Sequence, residues 1–266
     1  MKRAVWWVKR DFRLYDNAAL GRALTECDEV IPLYVFESLV LDGPDWSTKH
    51  TQAVHQGATS LRKNLEHHGS TLVIRQGSVM ATLQELRRRV PFTHLYAHQE
   101  TGLQHTFQRD KAVARWCKEH NVEFVEVPSN GVIRGLPSRD EWQRRFSAEI
   151  DGPLLPIPTK LLPMSYPLGI PKGRIPGVAT LKYTVNRQLG EISEREAHTV
   201  LRDFLYKRGH AYSGGISSMN TAPTACSRLS IHLAWGTISL ATVMKRTNER
   251  LKELKDDTTD TGQRFK

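Results

Sequence analysis

Five short apolar runs in the first half of the chain, at residues 4–8, 30–36, 71–74, 94–97 and 123–127, alternate with stretches of helical periodicity. One such stretch starts near Lys49 and sets Val54, Ala58, Leu61 and Leu65 at spacings of three and four. A second covers residues 79–89 through Leu83 and Leu86. A third covers 106–120, with Val113, Trp116 and Cys117 on one side. Strands that are apolar throughout are covered on both faces, and their alternation with helices builds a parallel sheet between two helical layers. The expected class is α/β. Trp6 and Trp7, adjacent on the first run, should then fill the two opposite sides of the sheet.

The character changes after Val127. Seven prolines fall between residues 153 and 176, with Gly152, Gly169 and Gly173 among or beside them. Proline fixes φ and lacks an N–H, so this stretch should run over the surface with little regular structure. A helical patch is expected just before it, at 141–146. Helix returns near Glu191, with Ala197, Val200, Leu201, Phe204 and Leu205 on one face. Two more helices are expected, one from near Ser227 and one after Thr237 or Ser239 that runs through Val243, Met244, Leu251 and Leu254. The organisation expected is a Rossmann-like parallel-sheet domain over 1–130, a Pro-rich connector over 131–188, and an all-helical segment over 189–266. Three short helices bury little area, so the last reads as an incomplete domain.

No run approaches the ~18 apolar residues of a membrane helix. The expected setting is cytoplasmic, with no membrane. Cys27, Cys117 and Cys226 are far apart with no Cys-x-x-Cys, so neither a disulfide framework nor a zinc site is indicated. His50, His55, His67 and His68 fall on or beside one helix and should mostly face solvent. The net charge is +10, most of its excess lying after residue 150. A basic field favours polyanions in a salt-dependent way.

Two motifs carry chemistry. Trp6-Trp7-Val8-Lys9-Arg10-Asp11-Phe12-Arg13 leads into Asp16-Asn17, a good helix cap, and no Gly-x-Gly-x-x-Gly of the nicotinamide type follows the strand. Cys226-Ser227-Arg228-Leu229-Ser230 opens a helix and is followed by Leu233-Ala234-Trp235-Gly236-Thr237-Ile238-Ser239. Hydroxyls and unpaired N–H groups at a helix start suit a phosphate. Spacing alone leaves an ordinary Ser-capped structural helix as the alternative. In this order, with Gln108-Arg109-Asp110 and Arg139-Asp140-Glu141-Trp142 between them, the motifs resemble the photolyase/cryptochrome family, class I-like.

That resemblance implies an α/β antenna-type domain followed by the start of an FAD-binding domain. Tyr212, Cys226, Ser227, Arg228, Leu229 and Ser230 become phosphate-side flavin ligands, although the family often has Thr at Cys226 and Pro at Ile231. Asp11 and Arg13 become structural, and Gly236 a site of close helix packing. The resemblance further implies a blue-light flavoprotein that splits pyrimidine dimers in DNA from reduced FAD. Its alternatives are a cryptochrome-type photoreceptor and a non-catalytic α/β remnant. The family's remaining flavin contacts fall later than Lys266, so the chain is expected to be truncated within the FAD-binding domain. A partner chain could complete that domain, and no catalytic residue or metal ligand is assigned. Folate-using members carry an Asn-Glu pair where this chain has His105 and Thr106, and Thr supplies no carboxylate for a pterin. Glu100, nearby, reads as a loop carboxylate. A deazaflavin antenna, or none, stays open.

Overall fold

In the computed structural model, residues 1–129, 131–159 and 169–255 are described. Five parallel strands form one sheet in the order β3-β2-β1-β4-β5: β1 (Arg3–Trp7), β2 (Glu29–Phe36), β3 (Val73–Gln76), β4 (His94–His98) and β5 (Glu123–Val127). The chain winds outward from β1 to β3, then crosses back to β4 and β5, so the topological switch lies between β1 and β4. Helix α1 (Ala18–Glu26), the single turn α2 (Ser38–Leu41) and the long α3 (Thr48–His67) connect the first strands. α4 (Val79–Arg89) and α5 (Gln104–Glu119) connect the others. β3 starts two residues later than its apolar run. Leu72 is buried ahead of it, where the chain enters the core before pairing begins.

The two tryptophans part as alternation along a strand requires. Trp6 packs with Phe12, Leu20, Tyr34 and Leu61 beneath α1 and α3. Trp7 packs with Leu33, Leu83, Phe92 and Trp116 beneath α4 and α5. Helix starts are fixed by short polar caps: Asn17 accepts from Leu20 N, and Ser47 forms a capping box with His50. The histidines of α3 depart from expectation, because only His67 is exposed. His50 packs against Trp46 and Trp235, and His55 Nδ1 lies 2.7 Å from the Tyr183 hydroxyl. Segments from beyond the sheet cover this face of α3.

After β5 come α6 (Trp142–Ile150), the connector, α7 (Glu194–Asp203), the one-turn helices α8 (Tyr212–Gly215) and α9 (Ala222–Ala225), α10 (Ser230–Ala234) and α11 (Leu240–Glu253). No strand follows β5 among the described residues. The helices share a small core of Ala197, Leu201, Leu205, Leu229 and Ile238.

These helices dock on the loop after β1. Asp11 is fully buried and accepts from Trp6 Nε1 at 3.1 Å, Lys9 N at 2.9 Å, Asn17 Nδ2 at 3.2 Å and His98 Nδ1 at 3.0 Å. The next residues reach outward. Phe12 N donates to Trp235 O at 3.3 Å, and Arg13 Nη1 to Gly236 O at 3.0 Å. Glu194 of α7 accepts from Leu14 N and Tyr15 N at 3.0 and 2.7 Å. Asp16 accepts from Ser239, the cap of α11, and its N–H donates to Leu155 O at 2.8 Å. Gly236 adopts φ +61, and a Cβ there would run into the Arg10 carbonyl, so only glycine allows this approach.

The described connector is tied to the open edge of the sheet. Ile74 N on β3 donates to Lys172 O at 2.8 Å. Arg62 gathers the carbonyls of Leu72, Lys172 and Gly173, and Arg75 Nη1 donates to Pro171 O at 3.0 Å. Gly173 has φ +69, and a Cβ would overlap the Ile74 carbonyl.

Two outcomes follow from these contacts. Gly173→Ala should release the connector, lowering unfolding free energy by roughly 1–3 kcal/mol and speeding proteolysis near residue 173. Burial alone would raise the Asp11 carboxyl, but the His98 charge and the hydrogen bonds from His98 and Lys9 outweigh it and hold its pKa at about 2, against an ordinary 3.8. A depressed carboxyl stabilises fully above its unfolded value and stops doing so as pH falls through its folded value. Asp11→Asn should therefore cost on the order of 2 kcal/mol at pH 7. Melting curves of both proteins should converge as pH falls from about 4 toward 2.

Candidate functional site

The end of α7, the turn before α10 and the segment 188–191 enclose an open cleft of about 930 Å³. Tyr212, Cys226, Ser227, Arg228, Leu229 and Ser230, all six residues singled out from the sequence, line it. α7 carries its apolar face into the small helical core. It then widens to π geometry over Phe204–Arg208, a form often found beside functional sites. This places Tyr212 at the rim, 44% exposed, its ring edge-on to Phe204 at 5.7 Å.

The helix expected from near Ser227 begins at Ser230. Residues 226–229 form a turn in which Arg228 adopts φ +62, a left-handed conformation uncommon for a side chain with a Cβ. The backbone leaves the helical path there because Ser227 Oγ turns back to accept from Leu229 N at 3.5 Å, and because a second arginine holds the carbonyls. Arg208 is anchored by Asp203 and donates to Cys226 O and, at 3.4 Å, to Ser227 O. Since the peptide unit is planar and trans, fixing those two carbonyls also fixes the N–H groups of Ser227 and Arg228, which point the opposite way.

The six residues differ in what they offer. Leu229 is 4% exposed and its side chain belongs to the core, so only its backbone is left to line the cleft. Arg228 is exposed and donates Nη1 to Pro223 O at 3.0 Å. Ser227 and Cys226 are half-buried, and Ser230 is exposed. At the cleft floor burial pushes the His232 pKa down to about 4, leaving a neutral ring whose Nδ1 lies 2.9 Å from Thr237 Oγ1. Arg208 was not anticipated from the sequence. Its one signal there is its place four residues before Tyr212, on the same helical face. Among the described residues, no group of three His, Cys, Asp or Glu side chains is arranged to hold a metal ion. No helix among them is long and apolar enough to cross a membrane.

A second group of charged residues lies at the switch point between β1 and β4. Glu100, expected as a loop carboxylate, lies in the loop between β4 and α5, where it is buried and accepts from Gly102 N at 2.7 Å and Arg109 Nη2 at 3.2 Å. Its desolvated position is tenable because a guanidinium lies beside it. Thr106 is buried, and its hydroxyl is spent on Leu103 O at 2.7 Å.

Residues 4–135 match the family model for DNA photolyase. The chain is 32% identical over 127 residues to the blue-light photoreceptor PHR2 of Arabidopsis thaliana, covering 46% of this chain and 28% of that protein. It is 25% identical over 264 residues to the deoxyribodipyrimidine photo-lyase of Streptomyces griseus, covering 94% of this chain and 56% of the relative. The class III photolyase structure from Agrobacterium tumefaciens superposes with a TM-score of 0.79 at 20% identity, over 99% of this chain and 56% of that one. The chain thus spans little more than half of either of the last two. With its sheet, its β1 loop and the matched residues in agreement, the protein belongs to the photolyase/cryptochrome family.

Proposed function

We propose that this chain supplies the phosphate side of a non-covalent FAD site in a blue-light flavoprotein. In its full-length form, that protein splits pyrimidine dimers in DNA. The supporting observation is the convergence of Tyr212, Cys226, Ser227, Arg228 and Ser230 on one cleft, with the turn's carbonyls drawn away by Arg208. A turn so held presents N–H groups and hydroxyls, without a carboxylate of its own, to a diphosphate. Reduced FAD, when bound and excited by light, supplies the electron that splits the dimer. This chain's part is to hold and orient the diphosphate and to seat the helices on the sheet. The basic balance of residues 151–266 suits DNA phosphates. Reaching a dimer inside a duplex requires it to be flipped out.

A photoreceptor without repair is the second reading, favoured by the relative named a blue-light photoreceptor. That match covers 46% of the chain, whereas the photo-lyase of Streptomyces griseus aligns over 94% of it. Repair is the better-supported reading for that reason. Restoration of dimer-containing DNA under blue light by the full-length protein decides between them. Photoreduction of flavin without restoration would give the photoreceptor.

The chain itself should retain visible flavin absorption after incubation with FAD and desalting, and a colourless folded protein would mean that the phosphate side alone does not hold the flavin. Arg208→Ala should weaken FAD about tenfold, the equivalent of about 1.4 kcal/mol. Riboflavin, which has no phosphate, should be affected little. Equal loss of both ligands would mean that Arg208 only supports the fold.

A further inference from the structure

The crevice at the carboxyl ends of β1 and β4, where open α/β sheets take their ligands, is filled from within. Trp7, Lys9, Arg10, Glu37, Glu100 and Arg109 are among the residues that line it, and about 40 Å³ of space is left. That admits a few waters, each needing ~10–15 Å³. A ring-sized ligand needs a pocket of roughly 300–1,000 Å³. The occupant is the Arg109 guanidinium. It donates to Glu37 Oε1 at 2.6 Å, to Glu100 Oε2 at 3.2 Å and to Asp110 Oδ1 at 2.9 Å. It also lies over the Trp7 ring, 4.8 Å from the centroid. Lys9 completes the set, paired with Asp110 and 4.9 Å from the same ring. All five charged side chains are at most 9% exposed.

An aromatic platform with carboxylates around its edge suits a planar cation, and Arg109 meets both requirements at once. A folate or deazaflavin ring placed here would have to overlap the guanidinium or part it from three buried carboxylates. We propose that the switch-point crevice is a planar-cation site occupied in cis by Arg109, and that it takes no folate, deazaflavin or flavin ring. The antenna chromophore associated with this family's α/β domain therefore does not fit here. The cleft beside Ser227 is separate, so the proposal is independent of whether FAD binds there.

Two measurements on the full chain test it. Hydrogen exchange is followed with methenyl-tetrahydrofolate, a deazaflavin, FMN or FAD present. Peptides covering residues 7–10 and 100–106 should show no added protection, whatever happens around 226–230. Protection at 7–10 and 100–106 by any of the four would overturn the proposal. Arg109→Ala should melt at a lower temperature than the parent and should be rescued by methylguanidinium chloride, but not by the same concentration of sodium chloride. The parent should show no such selective gain. A folded variant indifferent to methylguanidinium would also overturn the proposal. If the variant does not fold, the exchange result on the parent decides.

Discussion

One buried carboxylate organises the first loop, and that loop organises the rest. Asp11 carries its charge into the interior and holds four donors around it. A buried charge without such partners would be too costly to keep. Once it is set, the backbone from Phe12 to Asp16 has a fixed shape, and the groups of that backbone not used by Asp11 face the helices. α7, the turn at Trp235–Gly236, the start of α11 and the connector at Leu155 all attach to this stretch. The cleft therefore owes its position less to the five-residue helical core than to a loop of the sheet. The loop holds elements that bury too little apolar surface to hold each other.

Much of the sheet was legible in the sequence because both-face burial leaves a continuous apolar run, which survives any detail of packing. The six cleft residues stood out through resemblance, and the fold groups them on one concave surface. The errors have common causes. Ser227 looked like a helix start because Ser, Arg and Ser suit a first turn. Local propensity lost to a carbonyl clamp from Arg208, eighteen and nineteen residues away. His50 and His55 looked exposed because a helix pattern shows which side faces its own sheet, not what a later segment lays on the other side. Glu100 was read rightly as a loop carboxylate, but nothing in its neighbourhood in sequence announces Arg109, nine residues on, as its partner.

The two concave places on this molecule solve opposite problems with the same residue type. In the cleft, Arg208 withdraws to the wall and spends its donors on carbonyls and on Asp203, which leaves the turn's N–H groups free to face outward. At the switch point, Arg109 moves into the space itself and spends its donors on carboxylates. One arginine shapes a site and the other fills one. The difference is set by what lines each space: backbone oxygens in the first case, buried acids in the second.

The connector's attachment to β3 bears on how the molecule behaves when cut. β3 is an outer strand of the sheet, and an outer strand with free N–H and C=O groups invites pairing with a second chain. Here Lys172 occupies the Ile74 N–H, and Arg62 and Arg75 hold the connector's carbonyls in place. A fragment ending before residue 169 would keep every strand and most of the core of the α/β unit, yet it would lose the cover on that edge. Such a fragment should self-associate through β3. The proline-rich stretch thus protects the sheet's solubility as well as linking one part of the chain to the next.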